Sequence, residues 1–546
     1  MLPEANTYEE LVERFEWQIP ETFNIGFATC DAWANREPER EALVFIDADG
    51  TAQSYSYGDL KRLSNQLASL FHDRGLVRGD RVGVLLPQRP ETAFAHIAAL
   101  KSGAITIPLF TLFGDEALQY RLGNSGAKII VTDAAGAEKI ERIRHELPDL
   151  ETVLCTDGAC FGALDLVAEM EGQSARFEPL ATKPADPAII IYTSGTTGQP
   201  KGALHGHRVL LGHLPGVEMS HDFLGQPGDR IWTPADWAWI GGLLDVLMPA
   251  LYLGVPVVAC RFKKFTAEAA FELIEQQKIR NAFLPPTALK MMRQVTDPEK
   301  RWTLNMRSIA SGGETLGAEL IAWGQKTFGL TINEFYGQTE CNMIVSSSAS
   351  IMEARPGIMG RAVPGHDVNV VDLDGKILPE DTLGNIAVKS PDPVMFLGYW
   401  ENEQATRDKF AGDWLLTGDK GTRDADGWIT FIGRDDDVIT SSGYRIGPGE
   451  IEDCLLRHPA VALTGVVGKP DPQRTEIVKA FIVLKEGIEG TDDLAAEIAK
   501  FVKTQLAAHE YPREIAFVDT LPMTTTGKVI RRELRSMPDD GIAASN

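Results

Sequence analysis

The stretch Tyr192-Thr-Ser-Gly-Thr-Thr-Gly-Gln-Pro-Lys-Gly202 directly follows the apolar run Ala188 to Ile191. The apolar run has the character of a buried strand. The string after it is dense in glycine and hydroxyl side chains and carries one cation, Lys201. A loop of that composition at the end of a strand can surround anionic oxygens with backbone N–H groups and hydroxyls, and the lysine adds charge. A plain solvent-exposed turn is the bland alternative. It is not a Walker A loop, because Pro200 stands before Lys201 where that pattern requires glycine.

Outward from this string, apolar runs alternate with helical patterns. Tyr57 to His72 reads as an amphipathic helix and Arg81 to Leu86 as a strand. Pro90 to Ser102 is a helix closed by Gly103, and Ala104 to Pro108 is the next strand. Glu116 to Ser125 reads as helix and Lys128 to Thr132 as strand, with further buried strands at 188–191, 255–259 and Ala282 to Leu284. Alternation of this kind predicts mostly parallel sheets covered by helices. From Gly360 to Lys389 the segments shorten and Asp-Gly interrupts them, which predicts a small antiparallel unit. Beyond Gly433, a helix at Pro448 to Arg457, strands at Val461 to Val467 and Lys479 to Leu484, and a helix at Thr491 to Ala508 make a tail large enough for its own α+β domain. The expected organisation is a large α/β N-terminal domain over 1–433 and a smaller C-terminal domain over 434–546.

At 546 residues the chain exceeds what one hydrophobic core usually serves. Its net charge of −24 disfavours nucleic acid and anionic membrane surfaces as partners, though a local cationic loop can still hold a nucleotide. Six scattered cysteines with no CxxC pair speak against zinc and for a reducing compartment. The first residues, MLPEANTYEELVERF, lack the apolar core of a signal peptide, so a cytoplasmic location is expected. Trp239 to Cys260 is the most membrane-like stretch. Its Asp245, Pro249 and Pro256 predict a buried helix followed by a strand rather than a span.

Other segments share the density of the opening string. Ser311-Gly-Gly-Glu-Thr315 and Tyr336-Gly-Gln-Thr-Glu340 each follow a short apolar stretch, and loops at strand carboxyl ends are where open α/β sheets bind ligands. Thr417-Gly-Asp419 and Asp424-Ala-Asp-Gly427 come next, then Gly433-Arg-Asp-Asp-Asp-Val-Ile439 and Pro522-Met-Thr-Thr-Thr-Gly-Lys528. Taken singly, several are ordinary turns. As an ordered set, 192–202, 336–340, 413–419, 433–446 and 522–528 resemble the adenylate-forming (AMP-binding) superfamily. The likeness runs from about residue 30 to about 535 and is nearest to its acyl-coenzyme A synthetases of acetyl and medium-chain type, partly through WTPADWAWIGG at 232–242.

The resemblance implies an ATP-dependent acid–thiol ligase. It joins a carboxylate to AMP with release of pyrophosphate, then passes the acyl group to coenzyme A. Thr193, Ser194, Gly195, Thr196, Thr197, Gly198 and Lys201 are implied to cradle the β- and γ-phosphates, with Thr339 on the α-phosphate and Glu340 on magnesium. Gly313, Glu314 and Thr315, with Tyr336, Gly337 and Gln338, are implied to line the nucleotide, while Asp419 and Arg434 reach the ribose. Lys528 is the implied catalytic cation between two mutually repelling anions, alongside Thr193, Lys201 and Glu340. Asp436 matches a hinge about which the C-terminal domain turns, bringing Ser442, Gly443, Tyr444 and Arg445 to the coenzyme A side. Arg261, Lys263 and Lys264 are weaker candidates for the coenzyme phosphates.

For the acyl pocket the expected wall is Trp232, Trp237, Trp239, Gly241 and Gly313, with His205 and His207 near a mobile aromatic position. The tryptophans restrict the pocket or are core packing; the first option points to a short- or medium-chain, branched or aromatic acid. Loading of a separate carrier-protein thiol, a luciferase-like oxygenase and a non-catalytic nucleotide-binding protein are the alternatives. A homodimer is compatible with the sequence and not required by it.

Overall fold

The computed structural model describes the chain except residues 48, 194–198, 263–264, 435–436, 442–443, 472–473, 506–510, 525–527, 538–541 and 544–546; the side chains of 440, 444, 445, 450, 542 and 543 also lie outside the description. Among the described residues the strands form three sheets.

One sheet has the order Gly398–Tyr399, Lys201–Gly206, Pro187–Thr193, Ile105–Pro108, Arg81–Leu85, Ala127–Thr132, Thr152–Cys155, Leu164–Asp165. It is parallel from Pro187–Thr193 onward and antiparallel at its first two strands. The helices between these strands start and stop where local chemistry dictates. Ser56 and Asp59 form a reciprocal capping box at the head of Tyr57–Asp73. Pro90 opens Pro90–Lys101, and Gly126, at φ +60°, ends Asp115–Ser125 in the left-handed conformation.

The second sheet is parallel through Glu41–Ile46, Val257–Cys260, Ile231–Trp232, Asn281–Phe283, Ser308–Gly312 and Ile332–Gln338. It turns antiparallel at the hairpin Ile332–Gln338/Cys341–Ser346. The antiparallel unit expected from 360 onward is continuous with it: Gly360–Ala362 pairs with Cys341–Ser346 and leads to Trp428–Arg434, Trp414–Arg423, Gly384–Lys389 and Val368–Val371. Between the two large sheets lies a core that includes Ile189, Ile191, Leu210, Leu214, Leu244, Leu247, Val257 and Phe335. The helix Val209–Ser220 is buried along its whole length, consistent with its apolar composition all round. The membrane-like stretch is helical from Ile240 to Leu253, with a π-turn at Leu243–Leu247, and passes into the strand Val257–Cys260. Among the described residues no helix is long and apolar enough to cross a membrane.

The third sheet belongs to the tail. Val461–Asp471 and Thr475–Leu484 form a long antiparallel pair, flanked by Ile439–Ser441 and Glu514–Phe517 and covered by Pro448–Leu456 and Asp492–Gln505.

One buried ion pair ties the first segment to this scaffold. Lys101 and Asp31 are 2.6 Å apart with almost no exposure. The ammonium also donates to Ser64 Oγ at 2.8 Å and Asn65 Oδ1 at 2.9 Å. Its donors point to Ser64, Asn65 and, at 4.0 Å, the Cys30 sulfur, so it meets Asp31 as a charge pair.

Candidate active site

The opening string connects two antiparallel strands rather than a strand and a helix. Thr193 ends Pro187–Thr193, and Lys201, its cross-strand partner, begins the return strand. Thr193 Oγ1 donates to the Lys201 carbonyl at 3.3 Å. The arms are pinned from outside: Tyr192 donates to Asn124 Oδ1 at 2.7 Å, and Tyr120 donates to the Pro200 carbonyl at 3.0 Å. Gly202 must be glycine, because a Cβ there would lie 2.8 Å from Ile190 and 3.3 Å from the Tyr192 ring. Ser194, Gly195, Thr196, Thr197 and Gly198 lie outside the described residues.

Lys201 Nζ stands 5.2 Å from the centre of the Tyr399 ring. The Tyr399 hydroxyl donates a short hydrogen bond to Glu340 Oε1. Burial and the Glu340 charge both push the Tyr399 phenol pKa up, so it remains a donor at neutral pH. Tyr399 thus links the hairpin of Thr193 and Lys201 to Glu340, and sequence reasoning missed it. Its only signal was the aromatic cluster Phe396-Leu-Gly-Tyr-Trp400, which does not announce a contact.

Thr339 and Glu340 occupy the two-residue turn of the hairpin whose register pairs Gln338 with Cys341. Gly337 makes that turn possible: a Cβ would fall 2.2 Å from Asn342 Oδ1. Behind the turn, Gln338 Nε2 donates to the Thr417 carbonyl at 3.0 Å and Lys409 donates to Gln338 Oε1 at 3.0 Å. Tyr336 donates to Asp419 Oδ2 at 2.5 Å. Asp419 faces Arg434 across the strand pair. Burial raises the Asp419 pKa, while the Tyr336 hydrogen bond and the charges of Arg434, Lys409 and Lys528 oppose that rise.

Lys528 enters from the tail. Gly313, at φ +92° just after Ser308–Gly312, would carry a Cβ 3.5 Å from Lys528 Cε and 3.6 Å from Nζ. Lys528 is exposed, yet protein crowds it on one side. That crowding lowers its pKa, against the raising influence of Glu314 and Asp419, with Arg434 adding to the lowering. Glu314 accepts from Thr287 Oγ1 at 3.1 Å and lies 3.7 Å from Lys290. Thr315 Oγ1 lies 3.5 Å from where a Cβ on Gly449 would stand. The cleft therefore gathers cations from two parts of the chain around buried carboxylates.

Known proteins match this chain over nearly its whole length. The profile of the AMP-binding enzyme family covers residues 30–400, and that of the AMP-binding enzyme C-terminal domain covers 450–528. The acetyl-coenzyme A synthetase of Bacillus subtilis (strain 168) is 35% identical over 97% of this chain and 94% of its own length. The human mitochondrial acyl-coenzyme A synthetase ACSM1 is 34% identical over 95% and 92%. Among solved structures, the anthranilate CoA ligase AuaEII in complex with anthranoyl-AMP superposes with a TM-score of 0.86 at 28% identity, covering 95% of this chain and 98% of that one.

The chain belongs to the AMP-binding enzymes, among their acyl-coenzyme A synthetases.

In an AMP-forming ligase of this kind the acyl group must lie beside the nucleotide. Trp239 is half-buried and its ring packs on Phe110 and Phe113, with centroids 5.6 and 6.4 Å apart. A Cβ on Gly241 would meet the Phe283 ring at 3.0 Å, and Phe283 packs on Phe335 at 5.1 Å. Trp232 and Trp237 are different: both are fully buried. Because strand side chains alternate, Ile231 faces the core between the large sheets and Trp232 faces the opposite core with Phe262 and Phe271. Trp232 is thus core packing, away from the Trp239 cluster. Trp237 is closed inside the inter-sheet core.

Of the two histidines, only His207 needs a correction. His205 is completely buried, with its pKa lowered to about 4 by burial and its ring near the Thr339 backbone. His207 follows Gly206, the partner of Pro187 at the far end of the hairpin from Thr193 and Lys201. Six residues of strand put it about 20 Å from Lys201. There its Nδ1 accepts from the Ile25 N–H at 3.1 Å, and burial holds its pKa near 4. It anchors the N-terminal segment and does not gate an acyl group.

On the coenzyme side, Ser442, Gly443, the side chains of Tyr444 and Arg445, the hinge candidate Asp436, and Lys263 and Lys264 all lie outside the described residues. The Tyr444–Ile446 backbone pairs with Ile439–Ser441. Arg261 lies 3.8 Å from Asp133, so its charge already has an acidic neighbour.

Proposed function

We propose that this ligase activates a short- or medium-chain carboxylic acid, with branched and aryl acids included, using Lys528 as the cation of the first half-reaction. The carrying observation is the position of Lys528 against Gly313, within the field of Glu314 and Asp419. A carboxylate oxygen attacks the α-phosphorus of ATP. The new C–O–P linkage forms as the bond to pyrophosphate breaks. Both reactants are anionic, so an ammonium placed between them lowers the barrier by neutralising charge where it concentrates. The coenzyme A thiol, having lost its proton, then attacks the acyl carbonyl, and AMP leaves with the electron pair of the broken C–O bond.

Thr193 and Lys201 hold the outer phosphates in this reading, Asp419 and Arg434 the ribose, and the 313–315 and 336–338 segments the base and its surroundings. Magnesium fits the donor set. It takes one or two carboxylates and completes its shell with phosphate oxygens and water. Glu340, buried to 6% exposure and held by Tyr399, offers one such carboxylate. Bound there, the ion would supply charge neutralisation at the phosphates. The second step requires Lys528 to withdraw, so the tail from 434 turns about Asp436 and brings the 442–445 segment to the adenylate. The Trp239–Phe110–Phe113 cluster walls the acyl end and favours flat or short acids over long chains. A cytoplasmic, ATP-replete location suits the reaction.

ATP–pyrophosphate exchange with acids of two to ten carbons plus aryl acids tests the substrate reading, paired with consumption of free coenzyme A. Exchange with none of these acids, or exchange without any use of coenzyme A, would contradict it.

A further inference from the structure

Lys528 sits on a short loop, and what holds that loop has no part in the chemistry so far. The loop is closed at its base: Thr524 N–H donates to the Lys528 carbonyl at 2.7 Å, Lys528 N–H to Thr524 Oγ1 at 3.0 Å, and Ile530 N–H to the Pro522 carbonyl at 2.8 Å. Immediately after it comes Arg531. Its guanidinium donates to both carboxylate oxygens of Glu452, at 2.8 and 2.7 Å, and to the Val466 carbonyl at 3.2 Å. Asp437 stands 3.7 Å away and also accepts from Arg535 at 2.8 Å. Glu452 Oε1 is further fixed by the Val466 N–H at 2.8 Å.

Glu452 belongs to the helix Pro448–Leu456, which also approaches the 315–317 segment. Gly449 and Asp453, four residues apart and so on one face, approach Thr315 and Gly317. A Cβ on Gly317 would lie 2.8 Å from Asp453 Oδ2. Asp437 in turn donates its N–H to the Arg434 carbonyl at 3.0 Å. One guanidinium thus joins the lysine loop to the helix that touches 315–317 and to the turn that carries Arg434.

We propose that Arg531, clamped by Glu452 and Asp437, is a positioning residue for the adenylation step, fixing the Lys528 loop to the helix Pro448–Leu456 so that the ammonium arrives over Gly313. The inference rests on the reading of Lys528 given above. Burial works against the charged guanidinium, but Glu452 and Asp437 outweigh it and hold Arg531 firmly protonated. Nη2 holds both Glu452 oxygens while Nε reaches the Val466 carbonyl and Nη1 faces Asp437, so one planar group serves three directions at once, which a single ammonium could not reproduce.

Arg531→Met should lower kcat for ATP–pyrophosphate exchange by about thirty-fold with the KM for ATP little changed, since a small misplacement of a catalytic group carries such a cost. Thioester formation from supplied acyl-adenylate should stay within about three-fold, because Lys528 is withdrawn in that step. Arg531→Lys should recover only part of the loss. In a Lys528→Ala background, Arg531→Met should cost nothing more, because it acts through that ammonium. Glu452→Gln and Asp437→Asn, which keep shape and remove charge, should shift exchange in the same direction and serve if Arg531→Met fails to fold. Equal loss of both half-reactions in a folded variant would overturn the proposal, as would a full additional loss on top of Lys528→Ala. Exchange left intact by Lys528→Ala but lost in Arg531→Met would overturn the proposed route and fault the lysine assignment separately.

Discussion

Glu340 and Lys528 reach the same cleft by opposite means. Glu340 sits in a two-residue turn of the largest sheet, buried and held by Tyr399, with Gly337 packed against Asn342 behind it. Lys528 extends from a short loop of the tail, keeps solvent access, and depends on Arg531 for its footing. The contrast separates two requirements. Charges needed throughout the reaction are built into a sheet, where backbone pairing fixes them. In the proposed two-step reading, a charge needed for one step and withdrawn for the next is carried on the tail.

Breaking the movable side should have the largest effect. Lys528→Ala should slow ATP–pyrophosphate exchange by about a thousand-fold, near 4 kcal/mol of transition-state stabilisation, and spare thioester formation from supplied acyl-adenylate. Breaking the fixed side should cost less in exchange but also weaken magnesium binding. Glu340→Gln should lower exchange by about a hundred-fold and raise the magnesium concentration needed for half-maximal rate. Tyr399→Phe removes one hydrogen bond to Glu340 and should cost about ten-fold in exchange, with a parallel but smaller magnesium shift. Both half-reactions being equally hurt by Lys528→Ala would erase the distinction between the two regions.

The smallest effect concerns the seam between them. Glu334 is buried beneath the 313–317 segment, and burial raises its pKa to about 8, against the Leu316 N–H that it accepts and with a further push from Asp453. Asp453, across the seam, is raised to about 7 for the same first cause. The native protein therefore binds these protons more tightly than the unfolded chain does. Their contribution to stability is complete below their ordinary values, 3.8 for the aspartate and 4.5 for the glutamate, and is lost as pH rises from there through about 7 and about 8. Glu334→Gln should flatten the decline of unfolding free energy across that window; an unchanged pH slope in denaturant titrations would contradict the assignment.

Much of this was legible in the sequence. The βα alternation from 57 to 132 follows from periodicities that local chemistry enforces, and the observed elements Tyr57–Asp73, Arg81–Leu85 and Pro90–Lys101 end within a residue or so of the expected ones. Asp424 to Gly427 turned out to be a hairpin turn, with Asp424 Oδ1 accepting from the N–H groups of Asp426 and Trp428. What escaped were contacts between distant segments. Tyr399 meets Glu340 because a short edge strand lies beside Lys201–Gly206, and Arg531 meets Glu452 across the tail; neither has a local pattern. His207 was misplaced for a related reason. Proximity in sequence to Lys201 means distance in space when the chain between them is extended. Trp232 stayed open between pocket wall and core packing because a tryptophan-rich string hides which face each ring takes until the strand register is known.

The central claim is that an ammonium from the tail stands between two anions during adenylation. A crystal structure with a non-hydrolysable acyl-adenylate mimic would test it most directly. The account predicts Lys528 Nζ within hydrogen-bond distance, about 2.7–3.2 Å, of the oxygens at the acyl–phosphate junction, with Asp419 on the ribose and Arg531 still clamped by Glu452. Lys528 remote from that junction while the tail still covers the cleft would contradict it.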